Sequence, residues 1–195
     1  ELTGYKKDEV IGNKFASFLK DDEKILKTNV EIFLKNKYIK DVRYSLIKKD
    51  KNSILVSFEG KISNIKDQIR THCILQDITD KVKIDKKLKL SDIVFENTTE
   101  GIIITNCKNK IVSINKAFTK ITQYTKIDVY GKNPEIFKSG KHHKQFYKNM
   151  WENIEEHGFW KGEIWNRKKN GEVYAEWLNI STVTNDKNEI TNYVA

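Results

Sequence analysis

The chain has 195 residues, with 36 Lys and Arg against 27 Asp and Glu, and is 38% hydrophobic and 11% aromatic, enough for packed interiors. Its single proline excludes a proline-rich tether, and no apolar run approaches the roughly 20 residues that cross a bilayer. The net charge of +9 is spread over scattered lysines rather than gathered into a basic stripe, so no nucleic-acid partner is expected.

Glu1 already lies in a short-helix region that ends at Gly12. A helix is predicted over 22–37, with Ile25, Leu26, Val30, Phe33 and Leu34 as its core stripe. Alternating segments over 39–47, 53–62 and 69–78 read as strands. The inner face of the middle strand is Ile54, Val56, Phe58 and Ile62, with no polar member. Residues 79–94 are charged and free of Gly and Pro, with Val82, Ile84, Leu88 and Ile93 on a narrow apolar seam. A helix of that kind packs against a partner.

Short β-branched strands are predicted over 101–105 and 111–115, then helices over 116–122 and 126–129, the second stopped by Gly131. Asn133-Pro134 and Ser139-Gly140 mark a loop. A longer helix over 143–157 carries Phe146, Tyr147, Met150, Trp151 and Ile154 at helical spacing and is capped by Gly158. Strands follow over 160–167, 172–183 and 190–195. Alternation sets Trp160, Ile164 and Asn166 on one face of the first, and Tyr174, Leu178 and Ile180 on one face of the second. Glu176 shares that second face, either as a second buried polar anchor or turned outward at a bulge, and the outward position is the one expected. This order of elements predicts an α+β fold, an antiparallel sheet with helices on one face.

The two halves repeat each other. Leu2-Thr3-Gly4-Tyr5-Lys6-Lys7-Asp8-Glu9-Val10-Ile11-Gly12 returns as Ile121-Thr122-Gln123-Tyr124-Thr125-Lys126-Ile127-Asp128-Val129-Tyr130-Gly131. Lys48-Lys49-Asp50 returns as Lys168-Lys169-Asn170. The period is too long for a solenoid unit of about 20 to 50 residues, so a whole domain is duplicated. The expected division is a first domain over 1–79 lacking its opening hairpin, a helical linker over 80–94, and a second domain over 95–195 whose C-terminal end is truncated.

Catalytic chemistry finds no purchase. No carboxylate pair, Ser or Cys paired with His, or phosphate loop is assembled at motif spacing, so the fragment is read as regulatory and not an enzyme. Cys73 and Cys107 have no CxxC partner and read as buried structural thiols in a reduced, cytoplasmic setting. Of the four His, His142 and His143 are adjacent in a Lys-rich loop and read as solvated, with no metal site.

Taken together, the chain resembles two tandem PAS domains, the sensory modules of bacterial signalling proteins. The residues that carry this are the repeated Gly4-Tyr5 to Gly12 segment, Asp77-Ile78-Thr79, and Ile114-Asn115-Lys116-Ala117-Phe118. Gly131-Lys132-Asn133-Pro134 and Trp160 to Tyr174 carry it further. The resemblance implies two five-stranded antiparallel sheets joined by a helical linker, homodimer formation through the PAS units and linker, and relay to an output domain such as a histidine kinase or diguanylate cyclase. The second copy resembles the FAD-binding PAS domains of nitrogen-fixation and methane-oxidation regulators, in which a Trp and an Asn matching Trp151 and Asn166 contact the flavin. Trp151, Asn166, Trp160, Ile164 and Asn133 are therefore the candidate cofactor-binding residues. A light-sensing photoadduct would need a cysteine where Pro134-Glu135-Ile136-Phe137 stands, and haem would need a cavity-facing imidazole. In the first copy Leu46 replaces Asn166, and Glu31 or Ile32 replaces Trp151, so no flavin is expected there. Two functions stay open: a sensor whose second domain holds FAD or another small ligand, and a ligand-free pair serving as a dimerisation module.

Overall fold

The computed structural model describes residues 2–21, 23–65 and 68–195. It divides into two compact units, Glu1–Leu88 and Lys89–Ala195.

In the first unit, α1 (Lys7–Val10) and a 3-10 turn (Phe15–Phe18) lead to α2 (Glu23–Asn36). The strands β1 (Tyr38–Ile47), β2 (Ser53–Ile65) and β3 (Gln68–Asp77) follow in an antiparallel sheet of order β1-β2-β3. Three strands stand here among the described residues, against the five that the resemblance implies. Asp22, the first residue of the predicted helix, lies outside the described residues. Tyr44, Leu46, Val56 and Phe58 form the buried core. Rings of Phe15, Phe33 and Tyr44 each meet Phe58, with centroids 5.7 to 6.3 Å apart. Gly60 makes this possible, since a Cβ there would stand 2.9 Å from both Phe33 and Phe58. Leu26 and Phe33 turn α2 onto the sheet, but Ile25, Val30 and Leu34 are exposed, correcting the predicted stripe. Only one side of a helix at the sheet's edge can be covered by three strands, so the wider stripe stays outside.

The Asp77-Ile78-Thr79 segment ends the sheet and starts α3 (Thr79–Asn97). The Asp77 carboxylate accepts from Thr79 N at 2.8 Å, and Thr79 Oγ1 accepts from Leu55 N at 2.9 Å. These bonds to Thr79 hold the Asp77 carboxyl below the usual carboxylate range.

The second unit contains β4 (Ile103–Asn106), β5 (Ile111–Ile114), α4 (Lys116–Thr122), α5 (Lys126–Val129) and a 3-10 turn (Pro134–Phe137). Then come α6 (Lys144–His157), β6 (Phe159–Arg167), β7 (Val173–Thr184) and β8 (Ile190–Val194). The sheet is antiparallel and five-stranded, in the order β5-β4-β8-β7-β6. Asn115 ties its first hairpin to α4. Its Oδ1 accepts from Ile102 N and Phe118 N at 2.9 Å, and its Nδ2 donates to the Phe95 and Glu100 carbonyls. A buried amide with its donors and acceptor all engaged fixes the helix start far better than a solvated cap. Met150 and Ile154 of α6 are buried against Ile180, as the helical spacing predicts. Gly158, at φ 78°, takes the left-handed conformation that ends α6.

The repeat extends to ion pairs. The Lys49 ammonium meets the Glu9 carboxylate at 2.5 Å, and Lys169 meets Asp128 at 2.7 Å. In each copy the same lysine's backbone N–H donates to a carbonyl of the opening segment, Thr3 or Thr122. Truncating the 1%-exposed Ile154 to Ala is expected to cost about 2 to 5 kcal/mol, read as a lower urea midpoint at unchanged slope.

Candidate functional site

The sheet of the second unit curves over a cavity of about 910 Å³. This lies within the roughly 300 to 1,000 Å³ of small-molecule sites. Its walls come from four directions. β4 and the segment before it contribute Ile103 and Thr105, and α4 contributes Phe118 and Thr122. The stretch 133–138 contributes Asn133, Glu135 and Lys138, and α6 contributes Tyr147, Met150 and Trp151. β6 and β7 supply Asn166 and the consecutive run Tyr174 to Ser181. β8 pairs with β7 only at Ser181–Thr184, so the cavity runs along the β7 edge.

Burial alternates along β6 as the sequence predicts, with Ile164 and Asn166 both buried. The cavity gathers Trp151, Asn166 and Asn133 but not the other two candidates. Trp160 packs edge-on to Phe146 with centroids 5.8 Å apart, and Ile164 is core at 4% exposure. The correction has a simple cause: one strand face is long enough to serve both the packed end and the hollow end of the sheet. Trp151 is half-buried, its indole edge-on to Tyr193 at 5.4 Å.

The largest departure from expectation is Glu176. β6 and β7 pair without a bulge, Ile164 opposite Glu176 and Asn166 opposite Tyr174, so Glu176 stays on the inner face. It is half-buried and lines the cavity, and Asn166 Nδ2 donates to its Oε1 at 2.8 Å. The Tyr174 phenol is pushed above its usual range, first by burial and then by the Glu176 carboxylate beside and bonded to it. A run of polar side chains, Asn166 to Glu176 to Tyr174, therefore crosses the inner face. Sequence reasoning missed its middle member, although an unbroken 174-176-178 alternation was the available signal. Two residues that line the cavity also carry buried polar atoms, Thr105 Oγ1 and the Tyr147 hydroxyl, without a hydrogen-bond partner among the described residues. Such groups cost free energy unless something bonds to them.

The first unit shows the same register filled differently. Lys138 bridges to Asn166 across the sheet edge, and Leu19 bridges to Leu46 in the same way, so Leu46 does stand in the place of Asn166. Tyr44 opposite Val56 then matches Ile164 opposite Glu176, and Leu46 opposite Ile54 matches Asn166 opposite Tyr174. The polar run becomes Leu46, Val56 and Ile54, two of them at 2% and 0% exposure. Counting back from the ends of α2 and α6, Val30 occupies the position of Trp151, in place of the expected Glu31 or Ile32.

Two other readings change. Cys73 and Cys107 are free and exposed, not buried, and partial burial pushes the Cys73 thiol up. His142 is half-buried and bonded to the backbone of β6, not solvated.

With this geometry established, the comparison with known proteins is decisive on family. The PAS domain family profile matches residues 1–80 and 99–195. The chain belongs to the PAS domain family. It is a PAS-containing sensory protein. The nitrogen fixation regulatory proteins of Klebsiella oxytoca and Klebsiella pneumoniae are each 26% identical over 100 residues, 51% of this chain and 20% of theirs. The match thus spans about a fifth of those curated relatives. The PAS domain of a protein from Colwellia psychrerythraea superimposes with a TM-score of 0.52 at 18% identity, covering 55% of this chain and 92% of that one. An RNA-binding light-oxygen-voltage receptor superimposes with a TM-score of 0.51 at 10% identity, covering 91% and 83%. At such identities the two structures speak to the fold alone. No helix among the described residues is long and apolar enough to cross a membrane.

Replacing Asn166 by Leu, the first unit's residue, deprives the Glu176 carboxylate of its amide donor. The expected loss is about 1 to 3 kcal/mol in denaturant unfolding, read as a lower urea midpoint at unchanged slope.

Proposed function

We propose that the second PAS unit is the ligand-binding member of the pair and that its ligand is FAD. The observation that carries this reading is the polar run on the inner face of the sheet, Asn166 and Glu176 held 2.8 Å apart, beside Phe118, Tyr147 and Trp151 in one cavity. A flat ring with a hydrogen-bonding edge fits such a lining, because an ionised carboxylate accepts N–H donors and an amide can both give and take. Trp151 would wall the ring, Asn166 and Glu176 would take its polar edge, and Asn133 would stand at the rim. When bound, FAD supplies a ring whose protonation and hydrogen-bonding demands change with its redox state.

The chain's own residues convert that change into strain on the sheet. Asn166 and Glu176 sit on adjacent paired strands, so any rearrangement of their bond acts on β6 and β7 together. A ligand can shift the equilibrium only by the difference in its affinity for the two arrangements. We assign the first PAS unit no flavin, since Leu46, Val56 and Ile54 leave its wall without a polar group. Relay to an output domain such as a histidine kinase or diguanylate cyclase, in a cytoplasmic homodimer, completes the reading.

The alternative, a ligand-free interaction pair, draws support from α3, where Ile84, Leu88, Leu90, Ile93 and Val94 are all exposed. Absorbance spectroscopy of the purified chain, with mass spectrometry of the denatured supernatant, separates the two. FAD is expected at about one per chain, and both Trp151→Ala and Asn166→Ala are expected to lose at least tenfold in flavin retention while keeping a folded circular dichroism spectrum. A colourless protein that releases no small molecule and takes up none on incubation with FAD overturns the sensor reading in favour of the interaction module.

A further inference from the structure

β6 ends the sheet, and the backbone on its outer side needs partners that no strand supplies. The stretch from Lys138 to His142 provides them. Lys138 bridges to Asn166, Ser139 Oγ donates to the Trp165 carbonyl at 2.6 Å, and Arg167 Nη2 donates back to the Ser139 carbonyl at 2.7 Å. A further group is the Trp165 backbone N–H, which donates to His142 Nε2 at 2.9 Å. The imidazole is fixed in that pose by stacking on Phe146, centroids 3.9 Å apart, and by the edge of Tyr147 at 6.1 Å.

A backbone N–H is always a donor, so Nε2 must be the unprotonated nitrogen. An imidazolium has a donor at both nitrogens and cannot take this bond. The charged and titratable groups that face the ring come from three elements. On its own segment stand Lys138, Lys141, His143 and Lys144, with Lys141 Nζ 3.4 Å from the Trp165 ring centroid. From α6 it meets Tyr147, whose phenol is pushed up by burial. On β6 the charged neighbours are Arg167 and Glu163, the latter taking the Trp165 indole N–H at 3.2 Å. Glu135, beyond the turn, is paired with Lys138. Among the described residues no carboxylate pairs with His142.

The duplicated copy shows that the position demands an acceptor. Ser45 corresponds to Trp165, each preceding the residue bridged at the sheet edge, and Ser45 N donates to the Asp21 carboxylate at 2.5 Å. A carboxylate fills the role over the whole physiological range, whereas a histidine fills it only when neutral.

We infer that His142 is a proton-operated latch on the cavity wall of the second unit: neutral, it ties the His142 end of the Lys138–His142 stretch to β6, and on taking up a proton it gives up that tie, leaving the stretch held at Lys138 and Ser139 alone. Lys138 and Asn166 both line the cavity, so release loosens the wall at the polar run. The latch requires no ligand and stands or falls apart from the flavin reading.

Two-dimensional NMR of the full chain between about pH 5 and 8 tests it, following the Trp165 amide protection factor alongside the His142 ring protons. In the native chain protection is expected to fall roughly three- to tenfold as the ring protonates, the loss of one backbone hydrogen bond. His142→Gln, which keeps an acceptor that does not titrate, is expected to stay protected across the range. His142→Phe, which keeps the stacking without the acceptor, is expected to be unprotected throughout. Protection that ignores the His142 titration in the native chain, or a pH response in His142→Gln equal to the native one, overturns the latch. If His142→Phe does not fold, the native and Gln titrations decide alone.

Discussion

The hydrogen bond between Asn166 and Glu176 is the constraint on which the character of the second unit rests. A half-buried carboxylate is costly to strand without donors, and one placed on the inner face of a sheet prevents aliphatic side chains from closing over it. The amide of Asn166 answers part of that demand from the paired strand, and the Tyr174 phenol answers more. With Leu46, Val56 and Ile54 at the same three places, the first unit has no such demand, and aromatic rings fill its interior. Two copies of one fold thus carry, at the same three register positions, an aliphatic trio in one unit and a polar run in the other.

The edge of the sheet shows a second need met in two ways. In both units the terminal strand leaves an N–H that the fold must satisfy, and in both a side chain from the preceding loop reaches it. Asp21 does so as a carboxylate and His142 as an imidazole. The geometric requirement is the same, but the acceptor is a carboxylate oxygen in one unit and an imidazole nitrogen in the other. That asymmetry coincides with the packing asymmetry: the unit with the hollow also has the titratable edge.

Much of the fold was legible in the sequence because its signals are local. The repeat, the period-2 strands, the stripe of α6 and the glycine ending it rest on spacing alone. Alternation also placed Asn166 inward and Leu46 opposite it in the repeat. What failed depended on contacts between elements. Glu176 was read outward at a bulge that the register of β6 and β7 does not contain, and the amide that bonds it lies ten residues away on another strand. His142 was read as solvated because its neighbours in sequence are lysines, whereas its partner in space is the backbone of Trp165. Trp160 and Ile164 were assigned to the cavity on the strength of a shared face, but a face says nothing of which end of it is hollow. The α2 stripe was overdrawn because periodicity cannot report how wide a surface awaits the helix.

The link from wall to helix can be followed in the first unit and transferred by register. Thr79, the first residue of α3, holds the backbone N–H of Leu55 through its hydroxyl. Leu55 lies between Ile54 and Val56, whose side chains face the interior, so the strand segment that senses the core is also the one from which the helix hangs. The corresponding residue of the second unit is Ala175, between Tyr174 and Glu176. A rearrangement of the polar run that shifts those two side chains loads the backbone between them, because a close-packed interior passes strain on. The same spacing that places a carboxylate in the hollow therefore places it one residue from the anchor point that, in the sister domain, carries a helix out of the fold. On this geometry the proposed sensor needs no separate transmission device: the wall and the anchor are neighbouring residues of one strand.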